Sequence, residues 1–209
     1  MANDYLQQVN KQETNSLLVS LRMFATNNNV PIITEEGLRF IHQMIQLKQI
    51  KRVLEIGTAI GYSALSMAIN NDVSIVTIER DEAMIERAKN NFAQSDVSHK
   101  ITLIEGDALE VDEQSIEPVD LIFIDAAKAQ SMKFFNKYKA ILRPGGLIIT
   151  DNLLFHGLIE KDDLSKNLSG LVRKIDDFNH FVVEQEDFDT AIYELGDGMS
   201  LSIKKGGII

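Results

Sequence analysis

From Arg52 onward, short runs of apolar residues alternate with stretches whose apolar positions recur every three or four residues. The runs RVLEIG, VSIVTIE, KITLIEG, VDLIFID and GGLIITD are nearly continuous, which predicts strands buried on both faces of a sheet. Between them GYSALSMAIN, DEAMIERAKNNFAQ and AQSMKFFNKYKAILR read as helices, the second opened by Asp81 as its N-cap. An acidic turn or short helix follows KITLIEG. Another helix is expected over roughly 162–180, and the tail FDTAIYELGDGMSLSIKK reads as two strands around a Gly-Asp-Gly turn. Ahead of this alternation, residues 3–26 predict one helix, with Leu6, Val9, Leu17, Leu21 and Phe24 on its apolar side. NNNVPII is a connection. Thr34 then caps a second helix running to about Lys48, with Glu35 and Glu36 in its first turn.

Strands alternating with helices predict the α/β class. The expected architecture is an open, doubly wound, Rossmann-like sheet of seven strands, mostly parallel and ended by an antiparallel hairpin. The 209 residues suit one domain, with 1–50 as an N-terminal helical cap and 51–209 as the core. No repeat or low-complexity tract divides the chain.

Composition narrows the chemistry. There are no cysteines, which excludes disulfides, thiolate metal sites and cysteine nucleophiles. No apolar run approaches the ~18 residues of a membrane span. The N-terminus lacks the build of a signal peptide, so a cytoplasmic location is expected. A net charge of −10 argues against bulk attraction to nucleic acid. The charge is segregated, however. Residues 105–120 carry seven acids and no base, whereas 128–143 carry Lys128, Lys133, Lys137, Lys139 and Arg143 and no acid. A solvated helix face is the plain reading of that basic run; a local phosphate-binding face is the alternative.

In doubly wound sheets, ligands sit beyond the carboxyl ends of the strands. Glu55, Glu79, Asp125 and Asp151 all fall at or near such ends, so they are expected along one rim. The first βα turn, Glu55-Ile-Gly57-Thr-Ala-Ile-Gly61-Tyr62-Ser63, has Thr58-Ala59 where a dinucleotide fingerprint carries its second glycine. A pyrophosphate needs that glycine for close approach. A ligand without phosphate, such as S-adenosylmethionine, suits the loop better than NAD or a nucleotide sugar. Glu79 ends the second strand, where a carboxylate can accept both ribose hydroxyls. Asp107 follows the third strand and can reach an adenine amino group.

Asp125, Asp151 and Asn152 offer oxygen ligands and no sulfur, a set that suits Mg²⁺. The competing reading is that each aspartate only caps a helix. Lys128 stands beside this corner. An ordinary lysine, titrating near ~10.4, keeps its proton at neutral pH. A neighbouring divalent cation disfavours the ammonium and lowers the pKa of a hydroxyl bound to it. Both effects serve one job, removing a proton from that hydroxyl. The bland reading is a surface lysine. His42, His99, His156 and His180 show no ligand spacing, and only His156 is close enough in sequence to Asn152 to line a substrate mouth.

VLEIGTAIGYSALSMA, IERDEAMIERAKNNF, IEGDALE, DLIFIDAAK, GGLIITDNLLFHG and GDGMSLSIKK together resemble the cation-dependent class I O-methyltransferases, which include the catechol and caffeoyl-CoA enzymes. The resemblance runs from about Val30 to Lys205, and within that group it is greatest to the bacterial tRNA 5-hydroxyuridine methyltransferases. It implies that Asp125, Asp151 and Asn152 bind Mg²⁺ or a similar cation such as Mn²⁺, with Lys128 as the base. It implies that Glu55, Gly57, Gly61, Tyr62 and Ser63 surround the methionine part of S-adenosylmethionine. Glu79 would hold the ribose, Gly106, Asp107 and Ala108 would border the adenine, Asp125 would also touch the cofactor, and Ile32 would cover it. A homodimer is expected. The implied acceptor is 5-hydroxyuridine in a tRNA anticodon loop, with a small catechol-like phenol as the alternative; both present two adjacent oxygens. Ala126-Ala127, where the catechol enzymes carry larger residues, and Phe155, where plant members often carry tryptophan, point away from catechol.

Overall fold

The computed structural model describes Tyr5, residues 8–161 and residues 165–206. Its centre is a sheet of β1 (Arg52–Ile56), β2 (Ser74–Glu79), β3 (Ile101–Glu105), β4 (Val119–Ile124), β5 (Leu142–Thr150), β6 (Phe188–Tyr193) and β7 (Met199–Lys204). The strand order is β3-β2-β1-β4-β5-β7-β6. The first five run parallel, and β7 is antiparallel to both β5 and β6. The expected doubly wound sheet with a C-terminal hairpin is therefore the observed fold. Chain order reverses between β1 and β4, which is where a crevice opens at the carboxyl ends.

Alternation along the strands sends side chains to two cores. Leu121 and Phe123 join Val53, Ile75, Leu147 and Ile149 on one face. Ile122 and Ile124 join Leu54, Ile56 and Ile148 on the other. Each such side chain, being fully buried, contributes roughly 1.5–3 kcal/mol relative to exposure. The first face is covered by α1 (Ser16–Asn28), α2 (Glu35–Lys48), α3 (Tyr62–Asn70) and the end of α4 (Glu82–Phe92). The second is covered by α5 (Ser131–Tyr138) and α6 (Lys166–Val183), where Phe135 packs edge-on against Phe181 at 5.7 Å and lies 5.0 Å from Phe188.

Several boundaries differ from the sequence expectation. A continuous helix over 3–26 is interrupted, since residues 11–15 are not helical and Asn15 caps a new helix by accepting from the amides of Leu17 and Leu18. Val9 is exposed, and Leu6 lies outside the described residues. The helix expected to reach Arg143 stops at Tyr138, whose hydroxyl donates to Ala108 O at 2.6 Å. Leu142 is instead buried in the sheet, paired with Val119 ahead of a register shift. The helix expected from 162 begins at Lys166, and 162–164 lie outside the described residues. Thr34 and Asp81 cap α2 and α4 as expected. Among the described residues no helix is long and apolar enough to cross a membrane.

Candidate active site

The ladder of the sheet continues past the strand ends as a row of backbone hydrogen bonds. Gly106 N donates to Glu79 O at 2.7 Å, Gly57 N to Ile78 O at 3.0 Å, Asp125 N to Ile56 O at 2.9 Å and Asp151 N to Ile124 O at 3.1 Å. Each rim residue is thus fixed to its neighbouring strand. A cavity of about 300 Å³ opens over this rim. Of the residues singled out from the sequence, Ile32, Gly57, Tyr62, Ser63, Glu79, Gly106, Asp107, Ala108, Asp125, Lys128 and Asn152 line it. Glu55, Gly61 and Asp151 are not among its lining residues.

Glu55 is fully buried within β1. Ser63 Oγ donates to one of its carboxylate oxygens at 2.5 Å and Thr77 Oγ1 to the other at 2.5 Å. Thr58 lies 2.6 Å from Thr77 and completes the chain of hydroxyls. Burial pushes Glu55 up to about 7, against the opposing pull of those donors. Through Ser63 directly, and through Thr77 to Thr58, it ties both ends of the 57–63 loop to the strands. Gly61, the N-cap of α3, packs against the Phe92 ring in the same layer.

Gly57 has a reason that the sequence pattern did not reveal. Its φ is +100°, and a Cβ there would lie 2.1 Å from the carbonyl oxygen of Asp125. Only glycine allows the β1 turn to close on the backbone after β4. Glu79 is organised by three amides: Arg80 and Asp81 donate to Oε1 at 2.9 and 3.0 Å, and Ala59 donates to Oε2 at 2.9 Å. Asp107 accepts from Leu109 N at 2.9 Å and pairs with Arg80 at 2.9 Å; the Leu109 bond leads in holding its carboxyl below the usual range. Arg80, Pro31, Ile33, Thr58, Ala59, Ile78, Gln130 and Phe134 also line the cavity and were not anticipated. For Arg80 the signal was available, since it directly follows the last residue of β2.

Beyond the switch point the rim turns acidic. Asn152 takes a left-handed φ of 68°, which returns its side chain toward β4, where Nδ2 donates to Asp125 Oδ1 at 3.1 Å. Its backbone amide donates to Asp151 Oδ1 at 2.7 Å. Burial pushes Asp125 up to about 6, with Lys128 opposing. Burial and then the charge of Asp125 push Asp151 up to about 7. Two enclosed carboxylates that resist ionisation together are a setting that a divalent cation relieves. The donor set fits a hard cation: two carboxylates, plus an amide oxygen once the Asn152 side-chain amide is turned about its last bond. No group of three His, Cys, Asp or Glu suited to a metal occurs among the described residues.

Lys128 begins a 3₁₀ turn, Lys128–Gln130, that leads into α5. Its Nζ lies 5.7 Å from the centroid of the Phe155 ring. His156 stacks on Phe155 at 6.0 Å and faces Asp197, outside the cavity wall. His42 is half-buried and bonded to Ser66 and Asn71. The basic run 128–143 is not one free face. Lys137 donates to Leu109 O at 2.7 Å and pairs with Glu113, Arg143 pairs with Asp120 at 2.6 Å, and Lys139 reaches Gln185. The acidic and basic stretches answer one another within the chain, and Lys133 remains exposed.

The chain is similar to known proteins over most of its length. A match to the family described as O-methyltransferase spans residues 8–205. A proposed caffeoyl-CoA O-methyltransferase of Staphylococcus aureus is 40% identical, with a TM-score of 0.87 over 97% of both chains. The catechol O-methyltransferase of Niastella koreensis is 29% identical over 80% of this chain and 79% of its own. The caffeoyl-CoA O-methyltransferase of Populus kitakamiensis is 26% identical over 86% of this chain and 80% of its own. With a family match across nearly its whole length, this chain belongs to the O-methyltransferase family.

Proposed function

We propose that the protein transfers a methyl group from S-adenosylmethionine to one of two adjacent oxygens of a phenol-like acceptor, with a divalent cation bound at Asp125, Asp151 and Asn152. The observation that carries this reading is the juxtaposition at the switch point. A glycine loop unsuited to pyrophosphate closes directly on the backbone of Asp125, and Lys128 stands on the same cavity wall.

S-adenosylmethionine, when bound, supplies a methyl carbon whose bond to sulfur breaks as its bond to the acceptor oxygen forms. The cation supplies positive charge that favours the ionised acceptor. The protein's residues do the rest. Gly57, Tyr62 and Ser63 line the methionine end, Glu79 presents carboxylate oxygens to the ribose, and Asp107 and Ala108 border the adenine. Ile32 closes the cavity from the N-terminal side. Lys128 Nζ takes the proton from the attacking hydroxyl, and alignment of the two reactants supplies most of the remaining rate.

For the acceptor, the names of the catechol and caffeoyl-CoA relatives support a small catechol-type phenol. A second reading, 5-hydroxyuridine in a tRNA anticodon loop, draws on Ala126 and Ala127. These small residues line the cavity beside Lys128, on the side where a splayed base would need room. The internal pairing of Lys137 and Arg143 weakens a phosphate-binding face there and favours the small phenol. A homodimer belongs to this reading and is checked by light scattering.

The test incubates protein, S-adenosylmethionine and Mg²⁺ with a simple catechol, and in parallel with tRNA containing 5-hydroxyuridine. Mass spectrometry then looks for one added methyl, with a chelator control. Methylated catechol, lost with chelator, is the expected result. Methylation of the tRNA alone would move the acceptor to RNA. Transfer that survives chelation would remove the cation from the reading.

A further inference from the structure

The Gly196-Asp197-Gly198 turn of the hairpin has no part in the chemistry above, yet it is wedged between two segments of the site. A Cβ on Gly196 would lie 2.6 Å from Thr34 Oγ1, at the cap that follows Ile32 and Ile33. A Cβ on Gly198 would lie 2.6 Å from Leu154 Cγ and 2.9 Å from Leu154 N. Between these contacts only 15% of the Asp197 side chain is exposed. Its carbonyl accepts from Leu154 N at 2.8 Å, and its Oδ1 accepts from His156 N at 2.6 Å. Its Oδ2 lies 3.4 Å from His156 Nδ1. Gly198 O accepts from Leu153 N at 3.0 Å.

The segment so held follows a path that ordinary residues avoid. Asn152, Phe155 and His156 have φ values of 68°, 47° and 56°, the left-handed region disfavoured for side chains. Such a path persists only where its surroundings enforce it. The same segment delivers Asn152 to Asp125 and sets the Phe155 ring beside Lys128.

We propose that Asp197 is a positioning residue: by taking up the amides of Leu154 and His156 it holds 152–157 in the left-handed path that presents Asn152 to the cation corner and Phe155 to Lys128. The clamp rests on the structure alone; its consequence for cation binding rests on the function proposed above.

The test compares Asp197→Ala with wild type by three readouts. These are amide hydrogen exchange over 153–157, Mn²⁺ binding followed by electron paramagnetic resonance, and affinity for S-adenosylhomocysteine in cation-free buffer. Exchange at His156, whose acceptor is the Asp197 side chain, should rise at least tenfold, Mn²⁺ affinity should fall about tenfold, and S-adenosylhomocysteine affinity should stay within twofold. Asp197→Asn keeps an oxygen for the His156 amide and should recover most of the protection and of the Mn²⁺ affinity. Asp197→Ser suits a turn but is too short to reach that amide, so it carries the same expectation as alanine should the alanine variant not fold. Unchanged exchange in a folded variant would overturn the clamp. Equal losses of Mn²⁺ and S-adenosylhomocysteine binding would reduce Asp197 to general stability. A wild type that binds no Mn²⁺ would sink the cation reading, while the exchange measurement would still decide the clamp.

Discussion

The two halves of the rim are built differently. The half over β1, β2 and β3 is held from within. A fully buried Glu55 gathers Ser63 and Thr77, Glu79 gathers three amides, and Gly57 fits a gap that no side chain could enter. The half over β4 and β5 is held from outside. Its segment 152–157 takes left-handed residues and depends on the hairpin turn, distant in sequence, for its backbone partners. The first half is fixed by contacts between its own strand ends and the loop that follows β1. The second combines close-set carboxylates with an open mouth, and strain at such a place is common where a site must hold groups that would otherwise move apart.

The comparison can be broken most sharply at Lys128. Lys128→Ala should lower turnover by about 10²–10⁴-fold, the usual worth of a general base. S-adenosylhomocysteine affinity, measured by calorimetry, should stay near wild type. Full residual turnover would take the base out of the outer half.

Glycine replacements ask which half tolerates a side chain. Gly57→Ala combines a positive φ with a clash against Asp125 O and should cost at least about 2 kcal/mol in urea unfolding. Gly157→Ala meets nothing within 4 Å and bears only its φ of +72°, so about 1 kcal/mol is expected. Equal costs would erase the contrast between a packed half and a tethered one.

A subtler probe is the pH dependence of stability. Glu55 is pushed up to about 7 from an ordinary 4.5, with burial as the leading cause. Between those values the unfolded chain releases a proton that the folded chain keeps. Glu55 therefore makes stability fall as pH rises through that window, and adds no slope below or above it. Glu55→Gln should flatten this component in cation-free buffer, read from unfolding midpoints between those pH values. An unchanged slope would place the titration elsewhere.

The smallest effect is expected at Lys133, the exposed member of the basic run. Lys133→Glu should leave catechol methylation within about twofold, since an exposed charge outside the cavity lining is screened by solvent. A large loss confined to the tRNA substrate would return a phosphate-binding role to this face.

The sequence by itself determined the sheet, because near-continuous apolar runs at strand length can be buried only between two helical layers. The Thr34 and Asp81 caps and the alignment of acids at the strand ends were legible for the same reason: they are local, or follow from topology. So was half of the cavity lining, because the rim of a parallel sheet is reached at the same point of every strand. Tertiary structure alone decided what could not be counted along the chain. It turned Glu55 into the core, made Gly57 necessary through Asp125, ended α5 at Tyr138 so that Leu142 could enter the sheet, and paired the basic run with the acidic one. It also brought Asp197 to the backbone of 154–156, a contact across 41 residues that no local pattern specifies. Periodicity reports which face a residue occupies; close approach and hydrogen-bond partnership depend on where the whole chain has closed.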